Sequence, residues 1–275
     1  MIPALARLAI SDALQTRWLG RSFEVLEEVD STNVVLSRLA SEGAPAGTMI
    51  IADFQTEGRG RRERRWHAPP RTSLLFSILL RPGWPVRQAQ WLTMIAGLAT
   101  VAAIEAVAPL EVGLKWPNDV MIQETLKGRS RWHKTGGILL ETRLDGEVVR
   151  EATVGLGLNV NIARQDLPEG PTPATSLLAA TGRAYDRTAL LARLLQRLET
   201  LYEEAATGRS PQAAWDARLV TRNRQVRVVM EDGVVEGVAL GSDAWGRLLV
   251  RTAENEVRRF AAGDVTLADS GSAEG

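Results

Sequence analysis

From residue 225 onward the sequence changes texture, and that change limits the architectures open to the chain. Short β-rich runs at 225–230, 234–240, 247–250 and 256–260 follow one another closely, parted by the turn pairs Asp232-Gly233 and Trp245-Gly246. This spacing predicts a small all-β barrel. The residues before it mix strand-like runs (23–29, 48–55, 73–80, 112–115, 120–123, 137–144 and 148–161) with helical patterns at 12–19, 34–40, 88–107, 188–206 and 211–219. Strand and helix do not alternate strictly, which favours an α+β fold over a doubly wound sheet. The expected division is a first domain over 1–220, a barrel over 221–268 and a polar, disordered tail over 269–275. Asp145-Gly146 marks a hairpin, and 127–135 reads as a charged turn or hairpin tip.

Charge and composition exclude several functions. The chain has 33 basic and 33 acidic residues and no net charge, against an electrostatic nucleic-acid or membrane-surface binder. No apolar run approaches the roughly 20 residues of a membrane span. The N-terminal stretch lacks a secretory pattern, so a cytoplasmic protein is expected. No cysteine is present, and the two histidines, His67 and His133, are far apart, so thiolate catalysis and a multi-histidine zinc site are excluded. No residue is assigned to a metal. Lysine occurs three times against thirty arginines. A surviving lysine either marks a place where a guanidinium does not serve or is chance. Lys127 reads as chance, while Lys115 and Lys134 stay open.

Four segments carry candidate chemistry. Residues 58–66 (GRGRRERRW) hold five arginines between glycines and a tryptophan. Glycines let backbone N–H groups turn to an anion, and guanidiniums offer forked donors to phosphate or carboxylate. The same loop also reads as a solvated charged segment or as a nucleic-acid contact. It is neither a Walker loop nor a dinucleotide fingerprint. Lys115-Trp116-Pro117-Asn118-Asp119 puts a point charge at a strand end beside a proline turn. Gly136-Gly137-Ile138-Leu139-Leu140-Glu141 and the Gly155–Asn161 segment are strands opened or punctuated by glycine, which marks the close approach of a ligand or of another backbone. Asp30-Ser31-Thr32-Asn33 is either a helix cap or a set of short hydrogen-bonding groups able to read a small polar head.

Taken in this order, together with Gln55, Ala174-Thr175-Ser176-Leu177 and Ala262-Gly263-Asp264-Val265, these segments resemble the biotin protein ligases over about residues 22–267. The resemblance implies the mixed-sheet catalytic domain of the biotin/lipoate ligase type, related to class II synthetases, with a small C-terminal SH3-like β-barrel. It implies ATP, Mg²⁺ and biotin as cofactor and substrates, and biotinyl-5′-AMP as the intermediate. The acceptor is a lysine on the biotin carboxyl carrier domain of a biotin-dependent carboxylase. No protein nucleophile is needed, in keeping with the absence of cysteine. The resemblance assigns biotin to Ser31, Thr32, Asn33, Gln55, Arg59, Gly60, Arg61, Lys115, Gly136 and Gly137. It assigns ATP to Arg61, Arg64, Trp66, Asn118 and Asn161, and catalysis to Lys115 and Arg61. Lys134 aligns only loosely. A homodimer is among the assemblies it allows.

Three departures stand out. Glu63 replaces a glycine common in the family, residues 123–134 are longer than the usual turn, and no winged helix-turn-helix precedes the catalytic segment, so neither DNA binding nor a membrane role is expected. The nearest rival is a lipoate or octanoate ligase, whose lipoyl tail needs an apolar slot rather than paired donors and acceptors. A rival of another class is a non-enzymatic RNA-binding protein using the arginine loop; it gives Lys115 no role.

Overall fold

The structure, a computed structural model, describes residues 2–126, 128–170 and 172–267. The tail expected over 269–275, residue 268 and Lys127 lie outside the described residues. The elements run α1 (Arg7–Ala13), β1 (Phe23–Val29), α2 (Thr32–Ser41), β2 (Met49–Gln55), β3 (Ser73–Leu80), β4 (Trp84–Pro85), α3 (Ala89–Glu105), β5 (Val112–Lys115), β6 (Asp119–Leu126) and β7 (Arg129–Asp145). Then come β8 (Val148–Asn159), α4 (Leu177–Thr181), α5 (Arg187–Ala206), α6 (Gln212–Arg218), β9 (Gln225–Met230), β10 (Gly233–Ser242), β11 (Leu248–Arg251), β12 (Val257–Phe260) and β13 (Asp264–Leu267).

The first sheet has the order β1-β2-β3-β8-β7-β6-β5, with β4 added to β8. β1 and β2 are parallel and the remaining pairs antiparallel, so the sheet is mixed and the fold α+β. Its two faces differ in chemistry. On β8, Val154, Leu156 and Leu158 alternate into the main core, which they share with α3 and α5. The positions between them are Gly155, Gly157 and Asn159, on the opposite face. Register sets Gly155 between Ser77 and Leu139, and Gly157 between Leu75 and Gly137. α2 packs on this second face through Leu36 and Ala40 against Ile50 and Leu79. Beyond the end of α2 the sheet has a floor with few side chains.

The second sheet is antiparallel, ordered β12-β11-β10-β9-β13. Its ends, β12 and β13, share no ladder among the described residues. It is fastened to the first domain by indole donors: Trp116 Nε1 reaches Gly246 O at 3.0 Å and Trp91 Nε1 reaches Ala244 O at 2.8 Å. The Asp216 carboxylate accepts from both the N–H and the hydroxyl of Ser242. Among the described residues no helix is long and apolar enough to cross a membrane.

The structure moves two of the expected elements. The first helix is Arg7–Ala13, not 12–19. The Glu199 carboxylate takes the N–H groups of Arg17, Trp18 and Leu19 at 2.9–3.0 Å, a nest that a helix there would not offer. Burial raises the Glu199 carboxyl, but these hydrogen bonds outweigh it and leave it below its ordinary value. Residues 129–135 are not a turn; they begin the long strand β7, and its hairpin with β6 closes at Gly128, where φ is +75°.

Candidate active site

The glycine floor is the base of a cavity of about 460 Å³. Its walls are the N-terminal turn of α2, the end of β5 with the turn after it, the basic loop 58–66, and β13.

The first wall is a chain of close polar contacts, in which the single proton of the Thr32 hydroxyl serves either Gln55 or Ser77. Thr32 donates from N and from Oγ1 to Gln55 Oε1, at 2.8 and 3.0 Å. Thr32 Oγ1 lies 2.7 Å from Ser77 Oγ, and Ser77 donates to Asn33 Oδ1. Asn33 Nδ2 donates to Glu141 Oε2 at 2.7 Å, and Glu141 Oε1 pairs with Arg59 Nη1 at 2.9 Å. Ser31 is the N-cap of α2 by position, but its hydroxyl makes no capping bond. These short polar side chains are buried, and they turn toward a ligand space rather than toward the helix end.

The second wall holds charge. Asp119, 8% exposed, lies between two lysines: Lys115 Nζ is 3.2 Å from Oδ2, and Lys134 Nζ pairs with Oδ1. Burial works to raise the Asp119 carboxyl, but Lys134 and Lys115 overcome it and hold it below its ordinary value. Lys115 also donates to Thr172 Oγ1 at 3.1 Å. Asn118 Nδ2 is fixed on Ile138 O, leaving its Oδ1 to accept from Arg61 Nη1 at 3.3 Å.

The basic loop is a small hairpin. Arg59 and Arg65 bridge, and its tip turns through Arg62 and Glu63, both in the left-handed region at φ +52° and +59°. Two consecutive positive φ angles define a type I′ turn, which ordinarily favours Asn-Gly. Here it is held from outside: Arg62 and Arg64 pair with Asp264 of β13, and Arg61 reaches Gly263 O. Burial lowers the Arg61 guanidinium from its ordinary value against the pull of Asp264; it stays charged. The hairpin lays Trp66 on the floor: a Cβ on Gly157 would come within 2.5 Å of its Cε2, and one on Gly137 within 3.3 Å of Cζ3. Lys134 Nζ stands 5.8 Å from the same ring.

Of the residues singled out in the sequence, Ser31, Thr32, Asn33, Gln55, Arg59, Gly60, Arg61, Arg64, Trp66, Lys115, Asn118 and Gly137 line this one cavity. Gly136 and Asn161 are not among its lining residues. A Cβ on Gly136 would meet Val120, Leu158 and the Gly157 carbonyl. A bulge in the β6–β7 pairing shifts the register between Val120 and Met121 at this point. Asn161 is held by Tyr185, donating to its carbonyl and accepting from its N–H, both at 2.9 Å. The cavity instead presents Asn159, 3% exposed, whose Oδ1 is buried without a partner among the described residues. Strand alternation carried the signal: Asn159 shares the face of Gly155 and Gly157. The sequence left Lys134 open and named Asp119 and Glu141 only as members of their motifs, without a role at this site; Ser77 it did not single out. Lys134 is a scarce lysine one strand away from Lys115, and only the β6–β7 pairing makes them neighbours.

The profile of the biotin/lipoate A/B protein ligase family matches residues 25–159, and that of the biotin protein ligase C-terminal domain matches 221–267. The chain is 37% identical to the biotin–[acetyl-CoA-carboxylase] ligase of Mycobacterium tuberculosis, over 96% of each. It is 34% identical to the bifunctional ligase/repressor BirA of Bacillus spizizenii, over 96% of this chain and 79% of that one. A solved biotin protein ligase from Aquifex aeolicus in complex with biotin and ATP superimposes with a TM-score of 0.72 at 28% identity, covering 90% of this chain and 99% of that one. With this agreement in sequence and in fold, the chain belongs to the biotin protein ligases, within the biotin/lipoate A/B protein ligase family.

Proposed function

We propose that this enzyme activates biotin with ATP as biotinyl-5′-adenylate and passes the acyl group to a lysine of a biotin carboxyl carrier domain. One observation carries the reading: a polar head-group pocket and a two-lysine anion site open into the same cavity over a glycine floor. A ureido head offers one carbonyl and two N–H groups. The Ser31 hydroxyl, the Gln55 carboxamide and the Asn33 carboxamide supply complementary donors and acceptors. A lipoyl tail could use none of these donors and acceptors, which disfavours the lipoate reading. The arginine loop faces Glu141, Asp264 and the cavity, which disfavours the RNA-binding reading.

In the first step a biotin carboxylate oxygen bonds to the α-phosphorus of ATP, and the bond to the β-phosphate oxygen breaks, releasing pyrophosphate. Negative charge grows on the phosphate oxygens, where Lys115, Lys134 and Arg61 stabilise it. Binding of the phosphate loosens the lysine grip on Asp119. Asn118 orients Arg61, and the Asn159 Oδ1 accepts from the nucleotide. In the second step the neutral amine of the carrier lysine attacks the acyl carbon and AMP leaves. The C-terminal sheet, read here as an SH3-like barrel, holds the hairpin through Asp264. Among the described residues no three Asp, Glu or His side chains are grouped to hold a metal, and Asp119 is already paired with two lysines. Mg²⁺ would therefore be held chiefly by the ATP phosphates, whose charge it would neutralise.

Pyrophosphate release with Mg-ATP, measured without carrier against biotin, lipoate and no acid, tests this. Release with biotin alone is expected. Release with lipoate alone, or with neither, overturns the reading.

A further inference from the structure

Glu141 touches two of the elements that build the cavity. One of its oxygens accepts from Asn33 on α2; the other pairs with Arg59 on the basic hairpin. We infer that Glu141 is a positioning residue that latches the base of the hairpin to the head-group pocket, so that holding Asn33 and closing the hairpin are one event. The inference rests on the function proposed above and adds a residue to it.

The Asn33 carboxamide lies flat against the floor, where a Cβ on Gly155 would collide with its Oδ1. Ser77 takes one end of that amide and Glu141 the other, so Glu141 fixes which end is oxygen and which nitrogen. A ligand then meets the amide in one orientation. Arg59 lies in the first arm of the hairpin, directly bridged to Arg65 in the second. At the neck, Trp66 N–H donates to Gly58 O at 2.8 Å, and a Cβ on Gly58 would collide with the Trp66 carbonyl. A pull on Arg59 therefore moves Trp66, the lid of the floor. The tip is anchored separately, on Asp264. Without Glu141 the hairpin keeps its tip on Asp264, its Glu57 N–H bond to Asp30 O and the packing of Trp66 on Gly157, but loses its side-chain link to Asn33. Glu141 is 32% exposed and Arg59 52%, so the pair is modest in strength and open to salt. That suits a latch that must release after each turnover.

Glu141→Gln separates the two contacts. The carboxamide oxygen still accepts from Asn33, but the charge that holds Arg59 is gone. The test follows tryptic cleavage after Arg65 by mass spectrometry in the full chain without ligand, for wild type, Glu141→Gln, Arg59→Gln and the double variant. Both single variants are expected to be cut about threefold faster than wild type, and the double no faster than either. In parallel, escape of biotinyl-adenylate from Glu141→Gln is expected to rise by the same factor as cleavage. Cleavage of Glu141→Gln at the wild-type rate, or an additive double variant, overturns the latch. The proteolysis arm needs no ligand, so it judges the latch even where wild type fails to bind biotin, a failure that sinks the proposed function instead.

Discussion

Trp66 lies across Gly157 so closely that a single methyl group there would meet the indole at 2.5 Å. The contact joins the glycine-bearing basic hairpin to a central strand of the first sheet. It explains why β8 carries glycine where its partner face carries leucine.

Gly157→Ala is expected to push Trp66 off the floor at a cost of about 1–3 kcal/mol, taken from stability or from ligand binding. Thermal unfolding with and without biotin separates the two. Unchanged melting together with unchanged biotin affinity would show that the indole position is immaterial.

Lys115 and Lys134 share one carboxylate, so a phosphate bound as proposed would meet both. Lys115→Ala and Lys134→Ala are each expected to slow pyrophosphate release about a hundredfold or more with folding retained. A wild-type rate in either variant removes that lysine from the reaction.

The Asp119 carboxyl is below its ordinary value in the folded chain. Stability from a depressed carboxylate is complete above its unfolded pKa, about 4, and is lost as pH falls through the lower folded value. Lys134→Met removes the stronger of its two partners. Its stability is therefore expected to fall short of wild type at neutral pH and to converge with it in acid. Urea denaturation across that range measures this, and parallel curves would contradict it.

The alternating glycines of β8, the arginine hairpin and the lysine at the end of β5 were all legible in the sequence, because each is a local pattern with a local physical cause. What was not legible depends on pairing between distant strands. Ser77 is an unremarkable strand serine until β3 sets it opposite Gly155. Lys134 reaches Asp119 only through the β6–β7 ladder. Asn161 and Asn159 are two residues apart, so alternation alone gives both one face; β8 ends at Asn159, and Asn161 just beyond it turns to the Tyr185 backbone, which only the folded chain shows. The short β13 has four residues, too few for a periodic signal, yet its Asp264 anchors two of the loop arginines.

Outside the cavity lining, Arg187 and Asp53 form an ion pair with both side chains less than 5% exposed. Arg187 also holds Ser73 O and Pro3 O, and Asp53 accepts from Leu5 N–H. Arg187→Met strands a buried carboxylate and is expected to cost about 3–5 kcal/mol in urea unfolding. A loss well under that range would mean that water or the N-terminal segment relaxes to solvate Asp53.

The two asparagines at the end of β8 make the sharpest comparison. Asn161 gives both ends of its amide to the Tyr185 backbone, while Asn159 gives its nitrogen to Thr175 O and keeps a buried oxygen unpaired beside the cavity. Asn161→Ala leaves a buried N–H and a buried carbonyl unsatisfied, so it is expected to lose about 1–3 kcal/mol of stability with KM for ATP unchanged in the folded fraction. Asn159→Ala removes an oxygen that has no partner and an Nδ2 donor whose loss strands only Thr175 O. It is expected to cost less stability and to raise KM for ATP about tenfold, the worth of one hydrogen bond to a buried acceptor. Urea unfolding and pyrophosphate-release kinetics on both variants read the contrast. A raised KM in Asn161→Ala with Asn159→Ala unaffected would return the nucleotide to Asn161.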